Sequence, residues 1–213
     1  MEIDGLRWTG QSGFIINSGH TTIVVDPFRL PDVDFKVDVL LVTHPHFDHF
    51  SKDDIAKVVT KDTKIICSGG CDGIEEFGDY TLAKPGSEID IDDIHISAVP
   101  AYNVKQERLK FHPKSNLWVG YVIEHMGKRI YHAGDTDFID GMRLLKSLDL
   151  ALLPMGGTYT MDIDEGIAAA KSIDAEFVAP IHYRMLLGDD RAKELEEKFA
   201  RSVGNALILA EMR

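Results

Sequence analysis

Basic residues are in short supply: 23 Lys and Arg stand against 35 Asp and Glu, a formal net charge of −12. A surface of that sign repels polyphosphate chains and anionic membranes at long range, which weighs against nucleic acid as a partner. Cysteine is scarcer still, with only Cys67 and Cys71 in a C-x-x-x-C arrangement. A zinc ribbon needs a second pair and a secreted disulfide scaffold needs several more, so these two read as reduced thiols near a strand end. No apolar run approaches the roughly 18 residues of a membrane span. Met1–Gly10 lacks a basic-then-apolar signal pattern, and the expected location is the cytoplasm. Nucleophile elbows of the form G-x-S-x-G and phosphate-binding P-loops are also missing. So are internal repeats, low-complexity tracts and Pro/Ser-rich linkers. What remains is 213 residues that are 44% hydrophobic and 27% charged, the balance of an ordinary globular protein. A single domain over residues 1–213 is expected.

Short β-branched and apolar runs separated by Gly, Pro and Asp predict strands at Phe14–Asn17, Thr21–Val25, Asp38–Thr43, Lys64–Cys67 and Ile94–Val99. Further strands are predicted at Trp118–Glu124, Arg129–His132, Asp149–Pro154, Phe177–Pro180 and Ala206–Ala210. Asn17–His20 and Met126–Lys128 read as hairpin turns. Ser51–Thr60 reads as a helix with Ser51 as N-cap, and Asp162–Ser172 as one opened by an Asp162-x-x-Glu165 capping box. Asp190–Ser202 carries Leu195 and Phe199 on one face, with Glu194–Lys198 and Glu197–Arg201 pairs on the other. A short helix at Asp140–Leu148 completes an α/β order that suits sheets covered by helices.

The chemistry concentrates in one segment. Three of the nine histidines fall within the six residues His44–His49, beside Asp48 and directly after the apolar run Asp38–Thr43. In an extended backbone His44 and His46 point the same way, towards one metal. Asp48 and His49 follow where the chain turns and suit a second. Imidazole and carboxylate are ligands for zinc, manganese or iron.

This His44-x-His46-x-Asp48-His49 pattern resembles the H-x-H-x-D-H signature of the metallo-β-lactamase superfamily. Tyr131-His132-Ala133-Gly134-Asp135-Thr136 resembles that family's segment with a metal-bridging aspartate, and Ala179-Pro180-Ile181-His182-Tyr183 its late strand ending in a histidine ligand. Asp26-Pro27 and the Pro154–Met161 stretch are similar to the branch containing ascorbate-6-phosphate lactonases and N-acyl-phosphatidylethanolamine phospholipases. The resemblance implies a four-layer αβ/βα sandwich of two mixed sheets flanked by helices. It also implies metal ligands His44, His46, Asp48, His49, Asp135 and His182, with Asp48 handling the proton of the nucleophile. One place departs from the pattern. Where the family usually has Pro-Ala-x-His, this chain has Pro100-Ala101-Tyr102-Asn103, so Asn103 is a possible metal or substrate contact. His112, nine residues on, is the nearest substitute imidazole, or else touches substrate or lies on the surface.

Asp26 is expected to orient a ligand imidazole, and Tyr159 and Thr160 to line the pocket. Tyr102, Lys105, Arg108 and Lys114 form a local basic patch. The expected function is a metal-dependent hydrolase with one or two Zn2+, or Mn2+ or Fe. It would act on a small anionic phosphodiester, lactone or ester through a metal-activated hydroxide. A non-catalytic metal-binding sensor or structural protein is the alternative, supported by Asn103. A nuclease lacks the basic groove it would need. The partner is a small-molecule substrate, and one acidic chain sets no oligomeric state.

Overall fold

Strand β4 (Val39–Val42) is Val-Leu-Leu-Val and buried at every position, the signature of a central parallel strand covered on both faces. A computed structural model describes residues 5–212 and places this strand in the first of two compact units, Met1–Ala83 with Ala210–Arg213, and Lys84–Leu209.

The first unit is built on a six-stranded mixed sheet. Its strands are β1 (Leu6–Gly10), β2 (Gly13–Ser18), β3 (Thr21–Val25), β4, β5 (Lys64–Cys67) and β6 (Tyr80–Leu82), side by side in chain order. The first three pair antiparallel, and β3 to β6 pair parallel. Helix α1 (Lys52–Val58) connects β4 to β5 and buries Ile55 and Val58 against Ile15, Val24, Leu40 and Ile65. Ser51 caps it: its Oγ accepts from the Asp54 amide at 3.4 Å and donates to the Asp54 carboxylate at 2.7 Å. By this topology β1, β3, β4 and β5 run the same way. The segments after them, containing Gln11, Asp26, His44–His49 and Ser68, therefore share one end of the sheet. Open α/β sheets place their ligands outside that end.

The second unit repeats the plan. Strands β7 (Glu88–Ile91), β8 (Ile94–Pro100), β9 (Val119–His125), β10 (Lys128–His132), β11 (Leu148–Pro154) and β12 (Ala175–Ile181) again lie in chain order. The first four pair antiparallel and the last three parallel. A two-residue turn joins β9 to β10, with Met126 and Gly127 both at left-handed φ (51° and 72°), as such hairpins require. Helix α2 (Ile163–Ala170) opens with a complete Asp162–Glu165 capping box. Helices α3 (Arg184–Leu187) and α4 (Asp189–Ser202) follow β12, and α4 buries Ala192, Leu195 and Phe199. Strands β8, β10, β11 and β12 share a direction, so Asn103, Asp135 and His182 all follow strands at one end. A Cβ on Gly120 of β9 would come within 2.6 Å of the carbonyl oxygens of His132 and Ala133, so only glycine lets the strand lie so close to the turn before Asp135.

Two expected elements differ. Ala206–Ala210 is not a strand: Ala206 makes one isolated bridge to Val178, and Leu207 N donates to the Val178 carbonyl, as the chain leaves the sheet. The expected helix at Asp140–Leu148 is a 3₁₀ turn over Asp140–Leu144, because Leu148 already begins β11. Strands β1, β6 and β7 had no sequence expectation; β6 is exposed throughout, and β7 alternates over only four residues, too few to mark a strand by pattern. Lys198 pairs with Asp164 at 2.5 Å rather than with Glu194. Cys67 and Cys71 are buried thiols. Among the described residues no helix is long and apolar enough to cross a membrane.

Candidate functional site

In the first unit the chain leaves buried β4 through Thr43 into His44–His49, where His44, Asp48 and His49 are buried and His46 is half-buried. Asp26, wholly buried after β3, organises this segment. Its Oδ1 accepts the Thr43 amide at 2.8 Å, and its Oδ2 accepts the Thr43 hydroxyl at 2.6 Å and His49 Nδ1 at 2.7 Å. A carboxylate there only accepts, so His49 carries its proton on Nδ1 and presents Nε2 as a lone pair. The hydroxyl of Thr43 has spent its one proton on Asp26. It therefore accepts from His44 Nδ1 at 3.0 Å, which makes His44 Nε2 a lone pair as well. That nitrogen lies 3.0 Å from His46 Nδ1. Gln11, in the β1–β2 turn, donates from Nε2 to Asp48 Oδ2 at 2.8 Å, while Asp48 Oδ1 lies 4.0 Å from His49 Nε2.

In the second unit Asp135 follows β10 through a turn held by His132, a buried structural histidine whose Nδ1 accepts the Gly134 amide at 3.2 Å. Asp135 Oδ2 lies 3.2 Å from His112 Nε2 and 3.3 Å from His182 Nε2. His112 and His182 are 1% and 2% exposed, so both are parts of the interior. His182 ends β12 with its backbone in the left-handed region, φ 56°. Gln11 (φ 49°) and Asp26 (φ 46°) share that conformation, which non-glycine residues rarely adopt and which gathers at functional positions.

The side chain of Asn103 is occupied by hydrogen bonds. Its Oδ1 accepts the His112 amide at 3.1 Å and His112 Nδ1 at 2.9 Å, and its Nδ2 donates to Asp137 Oδ1 and the Tyr159 carbonyl, each at 3.0 Å. Thr160 is buried: its Oγ1 accepts the Gly156 amide at 3.2 Å, and its carbonyl accepts from Arg108. Tyr159 is partly exposed and packs edge-on against Phe111. The expected basic patch is largely neutralised. Arg108 is buried against Asp137 and Glu165, and Lys105 pairs with Asp162 and Glu165. Lys114 lies over the Tyr102 ring and Lys110 over Phe111. Tyr183 donates to Glu196 at 2.7 Å and is a packed tyrosine. His95 and His125 pair with Glu88, Asp90 and Asp93 on other parts of the second unit.

Sequence reasoning missed Gln11, the roles of Thr43, and Asp137. Gln11 had a signal in Gly10-Gln11-Ser12-Gly13, a polar side chain among small residues between two apolar strands. Asp137 had one in Asp135-Thr136-Asp137, a second carboxylate beside the expected ligand.

The donor chemistry fits a divalent ion. Two ligand atoms on a tetrahedral ion at ~2.1 Å lie about 3.4 Å apart. The 3.0, 3.2 and 3.3 Å separations are of that order. An imidazole lone pair facing a carboxylate oxygen or a second imidazole nitrogen at such distances is satisfied by a shared proton or by a metal ion. These imidazole and carboxylate sets, on the strand ends of two mixed six-stranded sheets, define a metal-binding α/β protein.

Comparison with known proteins places it more narrowly. The sequence model of the β-lactamase superfamily domain matches residues 5–182. A UPF0173 metal-dependent hydrolase from Thermoplasma acidophilum is 31% identical over 229 residues, taking in 100% of this chain and 97% of the relative. A crystal structure from Parabacteroides distasonis superposes with a TM-score of 0.84 at 30% identity, over 97% of this chain and 93% of that one. The metallo hydrolase Igni18 of Ignicoccus hospitalis gives 0.75 at 25% identity, over 97% and 94%. The chain belongs to the metallo-β-lactamase superfamily, among its metal-dependent hydrolases.

Proposed function

We propose that this hydrolase acts on a small anionic metabolite, a phosphodiester or a lactone or other ester, with Zn2+ as the working metal. The candidate ligands within the first unit are His44, His46, Asp48 and His49, and those within the second are His112, Asp135 and His182. The observation that carries the reading is the pair of 3.2 and 3.3 Å approaches of His112 Nε2 and His182 Nε2 to one oxygen of Asp135. Together they support His112 as the third imidazole that Asn103 had left in question, which weighs against a non-catalytic sensor. The family match, over residues 5–182, takes in the candidate ligands of each unit.

A divalent ion so bound supplies Lewis acidity and activates water at neutral pH. The chain's own contribution is order. Asp26 and Thr43 fix the imidazole tautomers of His49 and His44. Gln11 holds Asp48 Oδ2 and so orients the carboxylate proposed to move the proton. An anionic substrate is supported by Lys110 and Lys114. They stand over aromatic rings on the His112 loop and form no salt bridge to a carboxylate among the described residues.

The test is turnover of bis-p-nitrophenyl phosphate and a panel of lactones by protein reconstituted with Zn2+, Mn2+ or Fe2+. Hydrolysis abolished by Asp48→Ala supports the proposal. Inactivity on every substrate with every metal overturns it.

A further inference from the structure

Asn103 is a buried amide with every hydrogen-bonding position used. Its orientation follows from its neighbours. The backbone N–H of His112 can only donate, so it must face the amide oxygen, and the Asp137 carboxylate only accepts, so it must face the NH2 group. The oxygen that takes the His112 amide also receives Nδ1 of the same residue at 2.9 Å. An amide oxygen cannot donate, so Nδ1 of His112 carries a proton. In the neutral imidazole, the form that binds a metal, the lone pair is then on Nε2, the nitrogen 3.2 Å from Asp135 Oδ2.

Asp137 is saturated in its turn. Its Oδ1 receives Asn103 Nδ2 at 3.0 Å and lies 3.2 Å from Arg108 Nε in an ion pair, and its Oδ2 receives the amides of Val104 and Lys105 at 2.8 and 2.9 Å. The loop is closed at its base by Asn103 N donating to the His112 carbonyl at 2.8 Å. Asp137 and His112 are 0% and 1% exposed, so neither has water as an alternative partner.

We infer that Asn103, anchored by Asp137, is a positioning residue that fixes the tautomer and direction of His112 and so makes it a metal ligand. The residue at the family's usual histidine place has become the mount for an imidazole nine residues away. This rests on the reading of His112 as a ligand given above.

A double-mutant cycle tests it, using Zn2+ affinity of the apo-protein by chelator competition and the visible absorption of the Co2+ form. Removing a hydrogen-bond partner of a ligating histidine typically weakens metal binding about 10- to 100-fold. Asn103→Ala should fall in that range and move the Co2+ spectrum towards that of His112→Ala. The double variant should bind no more weakly than His112→Ala alone, because the amide acts only through the imidazole. Additive losses, or native affinity in Asn103→Ala, overturn the inference while leaving His112 a ligand. Native affinity in His112→Ala removes the ligand reading itself, and the inference with it. Thermal unfolding of each apo-protein reports folding; should Asn103→Ala not fold, Asn103→Ser replaces it in the cycle.

Discussion

Gln11 donates to Asp48 Oδ2 over 2.8 Å, and that bond fixes the direction in which the carboxylate points. The glutamine is buried, at a left-handed φ of 49°, and its own carbonyl accepts Trp8 Nε1 at 3.0 Å. The turn is thereby tied to the core rather than left to move. Gln11→Ala should lower kcat on the order of 10²-fold while leaving the metal in place, the usual cost of a misaligned catalytic group. Steady-state kinetics on protein of measured metal content checks this. An unchanged kcat with the metal retained shows that Asp48 needs no such support.

Asp26 makes three hydrogen bonds from a fully buried position, two to Thr43 and one to His49. Asp26→Asn replaces an acceptor-only group by one whose NH2 must face a donor. Metal affinity should fall roughly 10- to 100-fold, with a loss of about 1–3 kcal/mol in apo-protein stability. Chelator competition and denaturant unfolding measure the two effects separately.

Far from the ligands, Asp54 gives a prediction in pH. Burial works to raise its carboxyl, but hydrogen bonds from Lys57, Ser51 and the Arg29 amide outweigh that and hold it below the ordinary 3.8. A lowered native value means that the folded state favours the ionised form. The stability gained is present above the unfolded carboxyl's range and is lost as pH falls through the native value. Asp54→Asn should cost about 1–3 kcal/mol at pH 7. The gap from the native protein should close as pH falls below about 4. A gap that persists or widens in acid contradicts the assignment.

The legible part of this protein was the chemistry that is local in sequence. His44, His46, Asp48 and His49 lie within one loop, and the strand before them is apolar throughout, so periodicity and residue type suffice. The capping box of α2 and the Ser51 cap of α1 are equally local. What could not be read joins residues far apart. Asn103 and Asp137 are 34 positions apart, and Gln11 and Asp48 are 37 apart. Asn103 looked like a lost ligand because its partners, His112, Asp137 and Tyr159, come from three separate loops. The basic patch failed for the same reason: the carboxylates that neutralise Lys105 and Arg108 come from Asp137, Asp162 and Glu165, further along the chain.

The most direct measurement is metal content per chain, by plasma mass spectrometry, on protein purified without a histidine tag or chelator. If His112 and His182 both ligate as proposed, about two ions per chain are expected, falling to about one in His112→Ala. No bound metal, even after reconstitution with zinc, manganese and iron, would contradict the account.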